Sequence, residues 1–128
     1  GKKLYLKVKD LINQSLKPMV NENDSMNEII IEISNKMLGI TPVFSNESIV
    51  GVITDGDLRR TLLENKEISE LKAKDVMSCN PQIIDCEMMA SNALDIMKTK
   101  KISQLIVTKN EEYFGVIHIQ SLIKEGLS

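Results

Sequence analysis

The chain has no tryptophan, two tyrosines, two phenylalanines, three prolines, two cysteines and a single histidine in 128 residues. Each shortage excludes something. Cys79 and Cys86 are spaced neither as a CxxC redox pair nor as a zinc knuckle, so both read as reduced small residues of a cytoplasmic protein. With His118 alone, a metal site would have to be built mostly from carboxylates, and no such cluster stands out. No apolar run approaches the roughly 20 residues that span a bilayer, and no signal peptide is visible. Positive charge is not in excess either: a formal net charge of -2 gives no general attraction to nucleic acid or an anionic membrane. What is present, 42% hydrophobic and 27% charged residues, is the balance of an ordinary soluble globular protein. The length suits one compact domain or two small repeats sharing a core. A first residue of Gly rather than Met reads as a fragment, whose function need not be that of its parent.

The chain repeats itself. Lys9-Asp10-Leu11-Ile12 returns as Lys74-Asp75-Val76-Met77, Ile40-Thr41-Pro42-Val43 is echoed by Ile102-Ser103-Gln104-Leu105, and Gly51-Val52-Ile53 recurs as Gly115-Val116-Ile117. The offsets lie between 62 and 65 residues, so two copies of one unit fill the chain.

Each copy predicts the order β-α-β-β-α. A short apolar stretch (Met19-Val20; Ile83-Ile84) precedes an amphipathic helix. In the first copy Met26, Ile29, Ile30, Ile33 and Met37 share one face at helical spacing; in the second, Ala90, Ala93, Leu94 and Met97 do. Ser25-Met26-Asn27-Glu28 is a capping box, and Gly39 after Leu38 is a stop signal. Strands are expected over 41–44 and 49–53, then 104–108 and 113–117, joined by polar hairpin loops at 45–48 and 109–112. A last short helix carries Leu58 and Leu62, which face the core, or, in the second copy, Leu122 and Ile123. With aromatics at 3%, a copy of about 60 residues buries too little apolar surface to stand alone, so the two are expected to pack through their sheets as a pseudo-twofold pair. Met88-Met89 reads as core and interface filler.

This α+β pattern, with a strand running into Gly-x-x-Thr-x-x-Asp, resembles a tandem CBS domain pair, the regulatory module named after cystathionine β-synthase. The resemblance rests on KDLI (9–12), KDVM (74–77), ITPVF (40–44) and GVITDGDL (51–58), and covers nearly the whole chain. It implies a linker at 1–8, repeats at 9–66 and 73–128, and an inter-repeat linker at 67–72. A narrower similarity, carried by GKKLYLKVKDL (1–11), LGIT (38–41), ITDGDLRR (53–60) and GVIH (115–118), is to the C-terminal region of bacterial arabinose-5-phosphate isomerases. That likeness implies an upstream sugar-isomerase (SIS) domain, absent here, which would hold the catalytic residues of an aldose–ketose isomerase serving octulosonate and lipopolysaccharide synthesis. A cytoplasmic homo-oligomer with a nucleotide as partner, and neither nucleic acid nor membrane, is expected.

The candidate site lies in GVITDGDLRR. Thr54-Asp55-Gly56-Asp57 matches a capping box, which needs no ligand. The same geometry offers free amides and the Thr54 hydroxyl to an anion, while Asp57 can accept both hydroxyls of a ribose. Arg59 and Arg60 are either solvated helix charges or an anionic clamp. By resemblance, Thr54 and Asp57 hold ribose and phosphate, with Met19, Val20, Pro42 and Val43 walling the base and Thr41 among the ligand-binding residues. No cofactor is required; a regulatory AMP, ATP or CMP-sugar is the expected ligand. In the second copy His118 stands for Thr54 and Ser121 for Asp57, so a degenerate site without the carboxylate is expected there, with Lys124 keeping one charge opposite Arg60. No nucleophile–base pair or Walker-type loop is present, and no catalytic residue is assigned. A ligand-free structural module, or a different parent enzyme or transporter, is the alternative.

Overall fold

The computed structural model describes residues 5–64 and 67–128; residues 1–4 of the expected linker and the expected boundary at 66 lie outside them. Along the chain come α1 (Val8–Leu11), β1 (Val20–Asn21), α2 (Met26–Lys36), β2 (Ile40–Ser45), β3 (Ser48–Thr54) and α3 (Asp55–Glu64). A 3-10 turn at Ile68–Glu70 leads to α4 (Ala73–Val76), β4 (Ile83–Asp85), α5 (Ala90–Lys100), β5 (Gln104–Lys109), β6 (Glu112–His118) and α6 (Ile119–Lys124). Both copies therefore have the expected β-α-β-β-α order, each preceded by one extra helical turn. The strands form two three-stranded sheets, β1-β2-β3 and β4-β5-β6, each with one parallel and one antiparallel pairing.

The hairpins set the register. Each closes over two residues, Asn46-Glu47 between Ser45 and Ser48, and Asn110-Glu111 between Lys109 and Glu112. Asn46, Asn110 and Glu111 take positive φ, which asparagine tolerates best after glycine. Ile40 pairs with Thr54 and Gln104 with His118, and both hairpins have a bulge at the equivalent place. Ile40 thus corresponds to Gln104, not Ile102, and the apparent echo of 40–43 in 102–105 is displaced by two residues. That match was one of composition, whereas register follows from hairpin length.

Helix α2 begins as expected: the Ser25 hydroxyl accepts from Glu28 N at 3.3 Å. It buries Met26, Ile29 and Ile33, but Ile30 lies at the edge of the stripe and Met37 is 75% exposed. The helix ends at Lys36, with Met37 in the left-handed conformation (φ 58°), its N–H still bonded to Ile33 O. The chain therefore reverses two residues before Gly39, and that reversal swings Met37 off the stripe. In α5 the expected Ala90, Ala93, Leu94 and Met97 are all buried. In α3, Leu58 is buried but Leu62 is half exposed, and Thr61 takes the inward place. Asp57 and Thr61, one turn apart, both face inward, which rotates Leu62 out of the buried arc. In α6, Leu122 is fully buried and Ile123 points outward.

Packing divides the chain into two compact units, Pro18–Pro81 and the described part of Gly1–Lys17 together with Gln82–Ser128. In the first, Val20, Met26, Ile29, Ile33, Val43, Ile53, Leu58, Ala73 and Val76 form the apolar core. In the second, Val8 joins Ile84, Cys86, Ala93, Leu94, Met97, Leu105, Val107, Ile117 and Leu122. Each opening turn is thus held by the other copy's elements. Ala73 N and Lys74 N donate to Asp24 O and Glu22 O at 2.9 Å; Val8 N and Lys9 N donate to Met88 O and Cys86 O at 2.9 and 3.0 Å. The aspartate of the repeated Lys-Asp pair caps these turns, Asp10 accepting from Lys7 N and Asp75 from Lys72 N at 2.9 Å. Lys7 and Lys9 also pair with Glu87, and the two ammonium groups hold its carboxylate below the usual range. The residue after each turn crosses a strand glycine: Met77 passes over Gly51, and Ile12 over Gly115.

Candidate functional site

Strand β3 delivers Thr54 to the start of α3, where the two residues of the expected box cap each other. Asp57 Oδ2 accepts from Thr54 N at 2.9 Å, and Thr54 Oγ1 accepts from Asp57 N at 3.1 Å. Asp57 is 5% exposed, unusual for a carboxylate, and its burial is tolerated because it is fully engaged. The Arg60 guanidinium, one turn on, donates to Oδ1, and the pairing holds that guanidinium still more firmly protonated. The Ser78 hydroxyl lies 3.5 Å from the same oxygen. Thr61 Oγ1 donates to Asp57 O at 2.8 Å.

Ser78 is the site residue that sequence reasoning missed. It stands 21 positions from Asp57 and arrives because residue 78 forms an isolated bridge with Val52 on β3, bonded both ways at 2.9 and 3.0 Å. No local signal in the sequence marks that crossing.

The other expected site residues divide. Thr41 is fully buried beside the end of β3, pairing with Ile53, and its hydroxyl donates to Pro42 O at 3.0 Å. Pro42 is next along β2, opposite Val52. Val20 and Val43 point into the apolar core, so packing occupies their side chains. Met19 is half exposed and lines a cavity of about 480 Å³ with Val20, Asn21, Asp24, Phe44, Asn46 and Glu47, at the hairpin end of the sheet and away from Thr54. Arg59 is exposed, and it is Arg60 that meets Asp57.

Gly56 leaves the cap open to approach. A Cβ placed there would meet nothing nearer than Thr54 Oγ1 at 3.6 Å. The site can thus present a hydroxyl, a buried carboxylate and a guanidinium on one turn of helix, a set suited to a polyhydroxylated anion. Among the described residues, no three His, Cys, Asp or Glu side chains converge as a metal site requires, and every buried side-chain nitrogen and oxygen has a partner.

At the equivalent place in the second copy, His118 is the N-cap of α6, its Nδ1 accepting from Gln120 N at 3.0 Å. Burial pushes the imidazole below its ordinary value, which favours the neutral form that can accept. Ser121 is half-buried and Lys124 exposed, so neither carboxylate nor ion pair is rebuilt.

Comparison with known proteins agrees with this architecture. The family model for the CBS domain matches residues 8–64 and 73–128. The chain is 36% identical over 97% of its length to arabinose 5-phosphate isomerase KdsD of Francisella tularensis, and 30% identical over 99% to that of Escherichia coli K12. It spans only 38% and 39% of those two relatives. A solved CBS domain superposes with a TM-score of 0.84 at 20% identity, covering 95% of this chain and 98% of that one. The CBS pair of protein MJ0100, solved with 5-methylthioadenosine and S-adenosyl-L-methionine, does so at 0.80 and 18%, over 95% and 96%. A CBS domain of a bacterial CNNM/CorC-family Mg2+ transporter, solved with ATP, gives 0.79 and 16%, over 97% and 89%. With the family model matching both copies, the chain belongs to the CBS domain family, as a tandem pair.

Proposed function

We propose that this CBS pair binds a nucleotide or sugar nucleotide at Thr54 and Asp57 and so modulates an attached arabinose-5-phosphate isomerase of octulosonate synthesis in the cytoplasm. The carrying observation is the buried Asp57 carboxylate beside the Thr54 hydroxyl at a helix start. A ribose diol can bond to that carboxylate, and the Thr54 hydroxyl can donate to a phosphate, whereas the expected free amides of Asp55 and Asp57 are taken by Gly39 O and Thr54 Oγ1. The adenosine-containing ligands of the two neighbours above support a nucleotide, and the relatives' names support the isomerase parent. A bound ligand favouring one packing of the pair would bias the attached enzyme, by about 1–3 kcal/mol if the coupling is typical.

Isothermal titration of the chain with AMP, ATP and CMP should give saturable heat for at least one, weakened tenfold or more in Asp57→Ala. Silence from all three overturns the proposal. The alternative, a ligand-free structural module, is favoured by the internal pairing of every buried side-chain nitrogen and oxygen among the described residues. Its signature is that silence together with an oligomer, by light scattering, that Asp57→Ala leaves intact.

A further inference from the structure

The two oxygens of Asp57 are not equivalent. Oδ2 is committed to the helix cap through Thr54 N, so releasing it would loosen the start of α3. Oδ1 instead receives Arg60, whose side chain is 55% exposed and reaches the carboxylate from the solvent side. Moving Arg60 away costs little packing, but it leaves a buried carboxylate oxygen short of a charged donor, with, among the described residues, the Ser78 hydroxyl at 3.5 Å. Something else must then satisfy that oxygen. No counterpart exists in the second copy, where Ser121 and Lys124 occupy the positions of Asp57 and Arg60.

We propose that Arg60 is an internal stand-in for the ligand and thereby the residue that selects for an anionic group on it. Its guanidinium holds the acceptor that a ligand's hydroxyl pair would use. A neutral nucleoside has to displace a charge-assisted bond and offers Arg60 nothing in return. A nucleoside monophosphate, or a nucleotide-linked acidic sugar, makes an exchange. Its diol takes Oδ1, and its phosphate or carboxylate takes the guanidinium, which can bind either in a two-pronged fashion. The swung guanidinium also stands between the ligand's negative charge and Asp57, reducing a repulsion that would otherwise oppose binding. The inference rests on the nucleotide reading above and adds which residue discriminates, and how.

Paired titrations test it: AMP against adenosine, and CMP against cytidine, on the unaltered chain, Arg60→Gln and Arg60→Lys, with thermal melts to confirm folding. The unaltered chain should prefer nucleotide over nucleoside by about tenfold or more, the scale of one charge-assisted hydrogen bond. In Arg60→Gln the nucleotide should weaken while the nucleoside tightens, so that the preference collapses; Arg60→Lys should fall between. Equal weakening of both ligands in Arg60→Gln would show that Arg60 merely supports Asp57 and would overturn the exchange. So would an unaltered chain that binds nucleoside as tightly as nucleotide, though the nucleotide site itself would stand. Binding of neither removes both proposals together.

Discussion

At the scale of single residues, Gly51 is the most crowded of the glycines whose surroundings are described. A Cβ there would lie 2.5 Å from Met77 Sδ and 2.8 Å from Ser78 O. The side chain could yield, but the carbonyl belongs to the bridge that ties residue 78 to Val52. Gly51→Ala should therefore destabilise the chain by about 1–3 kcal/mol, the range for inserting atoms into a filled site. Met77→Ala in the same chain should restore only part of that loss, because the Ser78 carbonyl remains. Urea denaturation of the single and double variants measures both; complete rescue would mean that the backbone contact is unimportant. Gly115 is constrained differently, by a φ of +150° as well as by Ile12, whose methyl end can move. The two glycines of one repeated motif are thus kept for different physical reasons.

At the scale of elements, the caps distinguish the two copies. Helix α3 is closed by a threonine and an aspartate that serve each other, and α6 by a histidine acting alone. An imidazole can accept at Nδ1 only while that nitrogen is unprotonated, and a positive charge is unfavourable at a helix N-terminus. Burial places the folded-state value of His118 below its ordinary value of 6.5. The unfolded chain therefore takes up this proton first as the pH falls. The contribution from neutral His118 is complete above about pH 6.5 and is lost as the pH falls from there through the folded-state value. His118→Asn keeps an acceptor at the cap without a titrating ring. Unfolding free energies from urea denaturation at pH 7.5 and 5.5 should show a loss in the unaltered chain that exceeds the variant's by up to about 1 kcal/mol. Equal losses would place the pH sensitivity elsewhere.

At the scale of the whole molecule, the sequence repeats and the packed units follow different boundaries. The chain's first described segment, up to Lys17, is bound into the unit that contains Gln82–Ser128, through α1, the Glu87 ion pairs and Ile12 over Gly115. Any upstream domain would thus pull directly on the unit with the His118 cap, while the Asp57 site lies in Pro18–Pro81. Removing residues 1–17 should cost hydrogen-exchange protection first in β4, β5, β6 and α5, with β1, β2 and β3 losing less. If β1 to β3 lost protection first, the assignment of α1 to the second copy's unit would be wrong. Apolar burial explains the expected order, since the deletion takes Val8 out of the core formed by Leu105, Val107 and Leu122.

The sequence by itself determined what depends on neighbours within a turn or a hairpin. The Ser25 cap, the Thr54–Asp57 box, the α5 stripe and the β-α-β-β-α order were legible because propensity, capping and periodicity act over a few residues. Tertiary structure decided what covers each face. Periodicity put Leu62 inward, but Asp57 and Thr61 took that arc; composition matched 40–43 to 102–105, but hairpin length aligned Ile40 with Gln104. Ser78 reaches Asp57, and each opening turn serves the other copy, because chain crossings bring together residues whose separation leaves no local trace. Asp57 gives Oδ2 to the cap and Oδ1 to Arg60, a division of its two oxygens that the order of residues does not show. A carboxylate's chemistry depends on which donors surround it, and one of them, Ser78, comes from a distant part of the chain.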